Sequence, residues 1–93
     1  ETEELPTQVT LNQNYPNPFN PSTTIRFALP TSGKVRLEVY SILGQRMAVL
    51  VSGQQPAGWH TVTLNASTWS SGTYIYRLQA DGMTMTRKFL LLK

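Results

Sequence analysis

The chain has 93 residues, which suffice for one hydrophobic core and exclude a second domain or a deep, enclosed active site. Hydrophobic residues make up 40% and charged residues 14% of the sequence, a composition that excludes general disorder. The formal net charge is +3 and cysteine is absent, which excludes disulfides, thiolate nucleophiles and zinc–thiolate sites.

The charged residues are unevenly distributed. Three of the five acids lie within the first four residues, whereas all eight Lys and Arg residues lie from Arg26 onward. These bases are spread over several segments and are not interleaved with aromatic residues as in a nucleic-acid-binding surface. The pattern favours solvated strand faces, leaves an anionic partner surface as the alternative, and predicts no nucleic-acid partner.

The first residues lack the features of a secretory signal. They are Glu1, Thr2, Glu3 and Glu4, the opposite of a basic segment followed by an apolar one. No apolar run reaches the roughly 18 residues that span a bilayer. If the protein is exported, we expect its signal to lie upstream on a longer precursor.

In chain order, apolar residues recur at every second position, and no segment shows a sustained helical stripe. The predicted strands are a short one at 8–11, then 23–29, 34–40, 45–51, 59–64, 74–80 and 83–92. Seven strands at a spacing of roughly ten residues predict an all-β fold, an immunoglobulin-like antiparallel β-sandwich.

The alternation also predicts which side chains face the core. The inward set is Ile25, Phe27, Leu29, Val35, Leu37, Val39, His60, Val62, Leu64, Tyr74, Tyr76, Leu78 and Ala80. Ala28 and Glu38 are expected on the opposite faces of their strands. Chain breakers separate the strands at 30–33, at 43–44, at 53–58, at 70–72 and at Asp81-Gly82, a pair typical of a type I′ hairpin turn.

The segment Gly72-Thr73-Tyr74-Ile75-Tyr76 is similar to the tyrosine corner of immunoglobulin-like domains. In that motif a tyrosine hydroxyl bonds the backbone a few residues upstream and fixes the connection between the sheets. Tyr74 would be the corner residue, and Tyr76 would stand where an antibody domain has cysteine.

The segment 12–22, NQNYPNPFNPS, is the least generic part of the chain. Its three prolines fix φ and favour extended conformations in the residues before them, and its asparagines can close Asx turns. We therefore expect a rigid loop. Tyr15 and Phe19 either anchor this loop in the core or form a binding surface, and residue chemistry leaves both alternatives open.

Candidate catalytic residues are few. His60 is the only histidine, Asp81 is explained by its turn, and Glu38 is the only glutamate after residue 4. The sequence has no Gly-x-Ser-x-Gly motif, no second glutamate for a glycosidase pair and no suitably spaced set of three metal ligands. We therefore predict no enzyme activity, metal or cofactor, and a structural role for His60.

The strongest competing hypothesis is a carbohydrate-binding module. Such modules are often β-sandwiches whose exposed aromatic rings stack on sugars, and Trp59, Trp69 and Tyr40 are the candidates. In a small sandwich, however, tryptophan more often belongs to the core or covers it.

The chain resembles the type A C-terminal sorting domains of the type IX secretion system, found in Bacteroidetes. The resemblance covers nearly the whole chain, from residue 11 to residue 93. It depends most on the first block, LNQNYPNPFNPSTTI at 11–25, and on the last, KFLLLK at 88–93. Weaker support comes from Val39-Tyr40, Leu43-Gly44, Gly58-Trp59-His60 and SGTYIYRL at 71–78.

The resemblance implies a non-catalytic signal domain attached to the carboxyl end of a secreted passenger. Family members are recognised in the periplasm by the secretion machinery, which carries the folded passenger across the outer membrane to the cell surface or the medium. A surface sortase usually removes the domain and can join the passenger to anionic lipopolysaccharide. Residues 1–7 would then be a linker from the passenger, with cleavage at or before residues 1–6, and residues 8–93 a monomeric sorting domain.

The resemblance also implies sorting-signal candidates by position. These are Asn14, Tyr15, Pro16, Asn17, Pro18, Phe19, Asn20, Pro21, Gly44, Gly72, Tyr74, Lys88, Phe89, Leu90, Leu91, Leu92 and Lys93. The final strand is expected to be part of the signal, with an edge that a receptor could reach or extend by pairing.

Overall fold

A computed structural model describes residues 5–93 of the protein. Within this range the strands are β1 (Thr10–Leu11), β2 (Ser22–Leu29), β3 (Gly33–Ser41), β4 (Arg46–Gln55), β5 (Gly58–Asn65), β6 (Gly72–Ala80) and β7 (Met83–Leu91). Residues 5–93 contain no helix that is long and apolar enough to cross a membrane. The expected linker, 1–7, and the expected cleavage region, 1–6, lie partly outside the described residues.

The strands form two antiparallel sheets. One sheet has the order β1-β2-β5, and the other has the order β4-β3-β6-β7. The alternating sequences bury one face of each sheet, and the residues of these faces form a single hydrophobic cluster. The predicted all-β sandwich of seven strands is therefore confirmed.

The core consists mainly of the residues whose alternation predicted burial. Ile25, Leu37, Val39, Tyr76 and Leu78 are fully buried, with 0% exposure. Ala28, which was expected on the outer face of β2, is also buried, at a position flanked by β1 and β5. The expectation for Ala28 was wrong because alternation describes the two faces of a strand and not the neighbours on either side.

Two turns differ in how well the sequence predicted them. Asp81 and Gly82 both have positive φ, 53° and 73°, as the Asp-Gly pair predicted for the hairpin between β6 and β7. The predicted break at 53–58 is shorter, because β4 continues through Gly53 to Gln55. Gly53 adopts a φ of 126° within the strand. The glycine therefore allows a locally distorted backbone, and the strand continues past it.

Candidate functional site

Strand pairing brings most of the sorting-signal candidates to one end of the sandwich. Ser41 at the end of β3 lies opposite Tyr74, and Gly72 at the start of β6 lies opposite Leu91 at the end of β7. Phe19 forms a parallel bridge to Leu91. We call this region the signature end; it comprises the proline block (14–21), the β3–β4 turn (41–45), residues 70–74 and the terminal block (88–93).

The proline block covers the edge of β7, the outermost strand of its sheet. Phe19 N donates to Leu90 O and Leu92 N donates to Phe19 O, both over 3.1 Å, and Leu90 N donates to Asn17 Oδ1 over 2.9 Å. Closer to the middle of the strand, the Gln13 amide donates to the Lys88 carbonyl over 2.7 Å. The expectation that a receptor could reach or extend this edge was therefore wrong for 88–92, because the chain's own first block occupies it.

Phe19 fixes the proline block to the core. Its side chain is 3% exposed, and its ring meets the Phe89 ring edge-on with 4.9 Å between the centroids. Phe89 also packs on Tyr74 at 5.5 Å and on Tyr76 at 6.0 Å. Of the two alternatives for the aromatic residues of this block, Phe19 is an anchor, whereas Tyr15 is 80% exposed and is displayed.

The Tyr76 hydroxyl holds the backbone where the proline block begins. It donates to the Asn12 carbonyl over 2.7 Å and accepts from the Asn14 backbone N–H over 2.8 Å. Burial raises the pKa of Tyr76 above its ordinary value. The sequence analysis placed Tyr76 in the core but missed this role, since an alternating strand indicates burial without indicating what a terminal hydroxyl meets.

Asn14 is a buried structural residue of the same loop. Its side-chain amide donates to Thr23 Oγ1 over 2.9 Å and to the Pro16 carbonyl over 3.2 Å. The Thr23 hydroxyl in turn donates to the Pro16 carbonyl over 2.8 Å. The expected rigid loop is thus held by side-chain bonds, while Pro16, Asn17, Pro18, Asn20 and Pro21 remain exposed.

The tyrosine corner is present. Tyr74 Oη donates to the Ser70 carbonyl four residues upstream over 2.7 Å, and the Trp69 ring packs on the Tyr74 ring with 5.1 Å between the centroids. Gly72 has a φ of 154°, a conformation that disfavours residues with a side chain, although the space around its Cα position is open. Gly72 is therefore required by the backbone conformation and not by a close neighbour.

The terminal block alternates between buried and exposed positions. Phe89 and Leu91 are buried, Leu90 is half-buried, and Lys88, Leu92 and Lys93 are exposed. Lys93 is nevertheless held at both ends, since its N–H donates to Ser71 Oγ over 2.9 Å and its ammonium group donates to the Ser67 carbonyl. The block thus completes the core and also contributes surface to the signature end.

Glu38 lies on the outer face of β3, as the alternation predicted, but it is only 3% exposed. Its carboxylate is bound by Arg36 at 2.7 Å, Arg46 at 3.2 Å and Arg77 at 3.6 Å, and it accepts a hydrogen bond from Tyr40 over 2.8 Å. The pKa of Glu38 is lowered to about 2, and the largest cause is the hydrogen bond from Arg36. Desolvation of the carboxylate acts in the opposite direction.

The aromatic residues proposed for sugar stacking have other packing partners. The Arg26 guanidinium lies 4.0 Å from the centroid of the Trp59 ring, and the Arg77 guanidinium lies 4.7 Å from that of the Tyr40 ring. Each of these rings has one face against a cation, and Trp69 packs on Tyr74. These contacts give all three rings packing partners within the domain.

His60 has the surroundings of a structural residue. Its ring stacks on Phe27 with 5.0 Å between the centroids, and its Nε2 atom lies 2.8 Å from the Pro56 carbonyl. Across residues 5–93, no three His, Cys, Asp or Glu side chains are grouped as ligands of one metal ion would be.

Comparison with known proteins identifies the family. A family model described as "secretion system C-terminal sorting domain" matches residues 13–92, which include the proline block and nearly all of the terminal block. A search of curated proteins found no match. With most of its length covered by this match, the chain belongs to the family of type IX secretion C-terminal sorting domains.

Proposed function

We propose that this domain is the export signal of a longer secreted protein, and that the signature end is the surface that the secretion machinery recognises. Membership of the family supports a type IX sorting signal, export to the cell surface or medium, and interaction with the secretion machinery. The observation that supports the signature end is the direct contact between the proline block and the terminal block. These two blocks are the most specific parts of the sequence, and both are needed to build one surface.

The finer steps follow the family's usual route. Residues 1–7 link the domain to its passenger, and residues 8–93 are the sorting domain. A surface sortase cleaves at or before residues 1–6 and attaches the passenger to lipopolysaccharide. Mass spectrometry of the carboxyl end of a released passenger tests this step, and a passenger that retains residues 8–93 would contradict removal.

Fusion of residues 1–93 to a folded reporter, expressed in a bacterium with the type IX system, tests the sorting function. We expect the reporter on the surface or in the medium. Deletion of Phe89 to Lys93 should leave it in the periplasm, but this deletion also removes two core side chains, Phe89 and Leu91. An intact fusion that stays in the periplasm would show that the sorting function is wrong.

A milder variant separates recognition from folding. Tyr15 and Leu92 lie in the two blocks and are 80% and 50% exposed, so Tyr15→Ser with Leu92→Ser should leave the core intact. Met83, 48% exposed at the opposite end of β7, provides the matched control Met83→Ser. We expect export to fall in the double variant only, with unchanged thermal midpoints in both.

A further inference from the structure

The β3–β4 turn displays two aliphatic side chains at the signature end. Ile42 is 62% and Leu43 is 93% exposed. Both are large apolar side chains whose transfer from water into an apolar pocket is favourable. Adjacent, strongly exposed aliphatic residues at the tip of a turn are a surface suited to a partner.

The turn holds these side chains in a fixed geometry. Ser41 N donates to the Gln45 carbonyl over 2.8 Å, and Gly44 N donates to the Ser41 carbonyl over 2.9 Å. The Ser41 hydroxyl oxygen accepts from the N–H groups of Leu43 and Gln45. Gly44 has a φ of 86°, which strains any residue with a side chain. A preorganised turn loses little conformational freedom on binding.

Positive charge begins next to the turn at Arg46 and extends along the outer face of the sheet through Arg77 to Arg36. Arg46, the first residue of β4, is 54% exposed and is bound to Glu38, whose carboxylate also holds Arg36 and Arg77. Three guanidinium groups therefore surround one buried carboxylate on the outer face of the sheet. Asp81, the other acid among the described residues, lies in the β6–β7 turn at the opposite end. The charge around the turn thus complements a carboxylate-rich surface.

We propose that Ile42 and Leu43 dock the domain on a protein of the type IX secretion machinery, in an apolar pocket bordered by carboxylates. The inference rests on the proposed function, since it assigns a partner contact to the signature end. A protein pocket can be complementary in shape to the fixed geometry of the turn, whereas insertion into a bilayer does not require a fixed geometry. Tryptophan, a residue suited to the membrane interface, is absent from the turn, and both tryptophans pack elsewhere.

Export of a reporter fused to residues 1–93 tests the proposal. The double variant Ile42→Ser with Leu43→Ser should lower the exported fraction at least about tenfold, because loss of apolar anchors at the centre of an interface has effects of this size. Met83→Ser, which removes a comparably exposed apolar side chain at the other end, should export normally. Thermal midpoints of the purified chains should be unchanged, since the replaced side chains are exposed.

Photo-crosslinking identifies the partner class. A benzophenone amino acid at position 43 should form an adduct with a component of the secretion machinery, and the same probe at position 83 should not.

Normal export of the Ile42→Ser, Leu43→Ser variant would overturn this inference and leave the sorting function standing. Failure of the unmodified fusion to be exported would overturn the sorting function itself. If the domain binds phosphatidylglycerol vesicles and only this double variant loses that binding, the partner is a bilayer. That result would overturn the proposal of a protein pocket.

Discussion

Tyr74 and Tyr76 lie two residues apart on β6, and the hydroxyl of each holds a backbone segment outside the strand. Tyr74 bonds one carbonyl, that of Ser70, whereas Tyr76 bonds the Asn12 carbonyl and the Asn14 N–H. A buried backbone group that loses its only partner is destabilising beyond the loss of the bond itself. Tyr76 should therefore matter more to stability, although Tyr74 is the corner residue.

We expect Tyr76→Phe to lower the free energy of unfolding by about 1 to 3 kcal/mol and Tyr74→Phe by about 0.5 to 1.5 kcal/mol. Urea denaturation measures both, and Tyr15→Phe is the control because Tyr15 is 80% exposed. An unchanged midpoint for Tyr76→Phe would show that its hydroxyl is hydrated in solution.

The Glu38 carboxylate makes stability depend on acidic pH. Its pKa is about 2 in the folded protein and is 4.5 as an ordinary value, so the unfolded chain binds more protons between these two pH values. The stabilisation from Glu38 is complete above pH 4.5 and is lost as the pH falls through about 2.

Glu38→Gln should flatten this dependence. The variant keeps an amide in place of the carboxylate but cannot attract the three arginines, so we expect a loss on the order of 1 kcal/mol at neutral pH, limited by the solvent exposure of the arginines. Thermal midpoints from pH 2 to pH 7 measure the effect. Parallel curves for the two proteins would assign the acid sensitivity to another group.

At the scale of single elements, several hydrogen bonds between the proline block and β7 join the first block to the last. Asn17→Ala removes the acceptor of Leu90 N–H, whereas Leu92 N–H retains the Phe19 carbonyl. We expect faster hydrogen exchange at Leu90, with little change at Leu92, because only the first amide loses its partner. Equal exchange at Leu90 in both proteins would show that Asn17 does not cap the strand.

The sequence predicted strands and faces well because alternation with period two reports directly on burial. Ile25, Val39 and Leu78 were assigned to the core in this way. What could not be predicted depends on cross-strand neighbours. Glu38 is covered by arginines from β4 and β6, and the edge of β7 is covered by a segment more than 70 residues away in sequence. Alternation within one strand has no information on either contact.

At the scale of the whole molecule, the exposed edges determine whether copies of the chain associate. The end of β7 is covered by the proline block, and β4 has register shifts against β3 between Leu37 and Glu38 and between Val39 and Tyr40. Bulges of this kind twist an edge away from regular pairing. In the other sheet, β5 is also an edge strand. We expect a monomer in sedimentation velocity, and a concentration-dependent dimer would point to pairing through β4 or β5.

The contact between Asn17 and Leu90, 73 residues apart, has a consequence for the order of events during synthesis. Pairings between distant residues form late in folding, because the intervening chain must first be made and ordered. A nascent or truncated chain that lacks Leu90 therefore has a proline block but no assembled signature end. A receptor that binds this end would act as a checkpoint, admitting only chains in which β7 has been synthesised and has paired with the proline block.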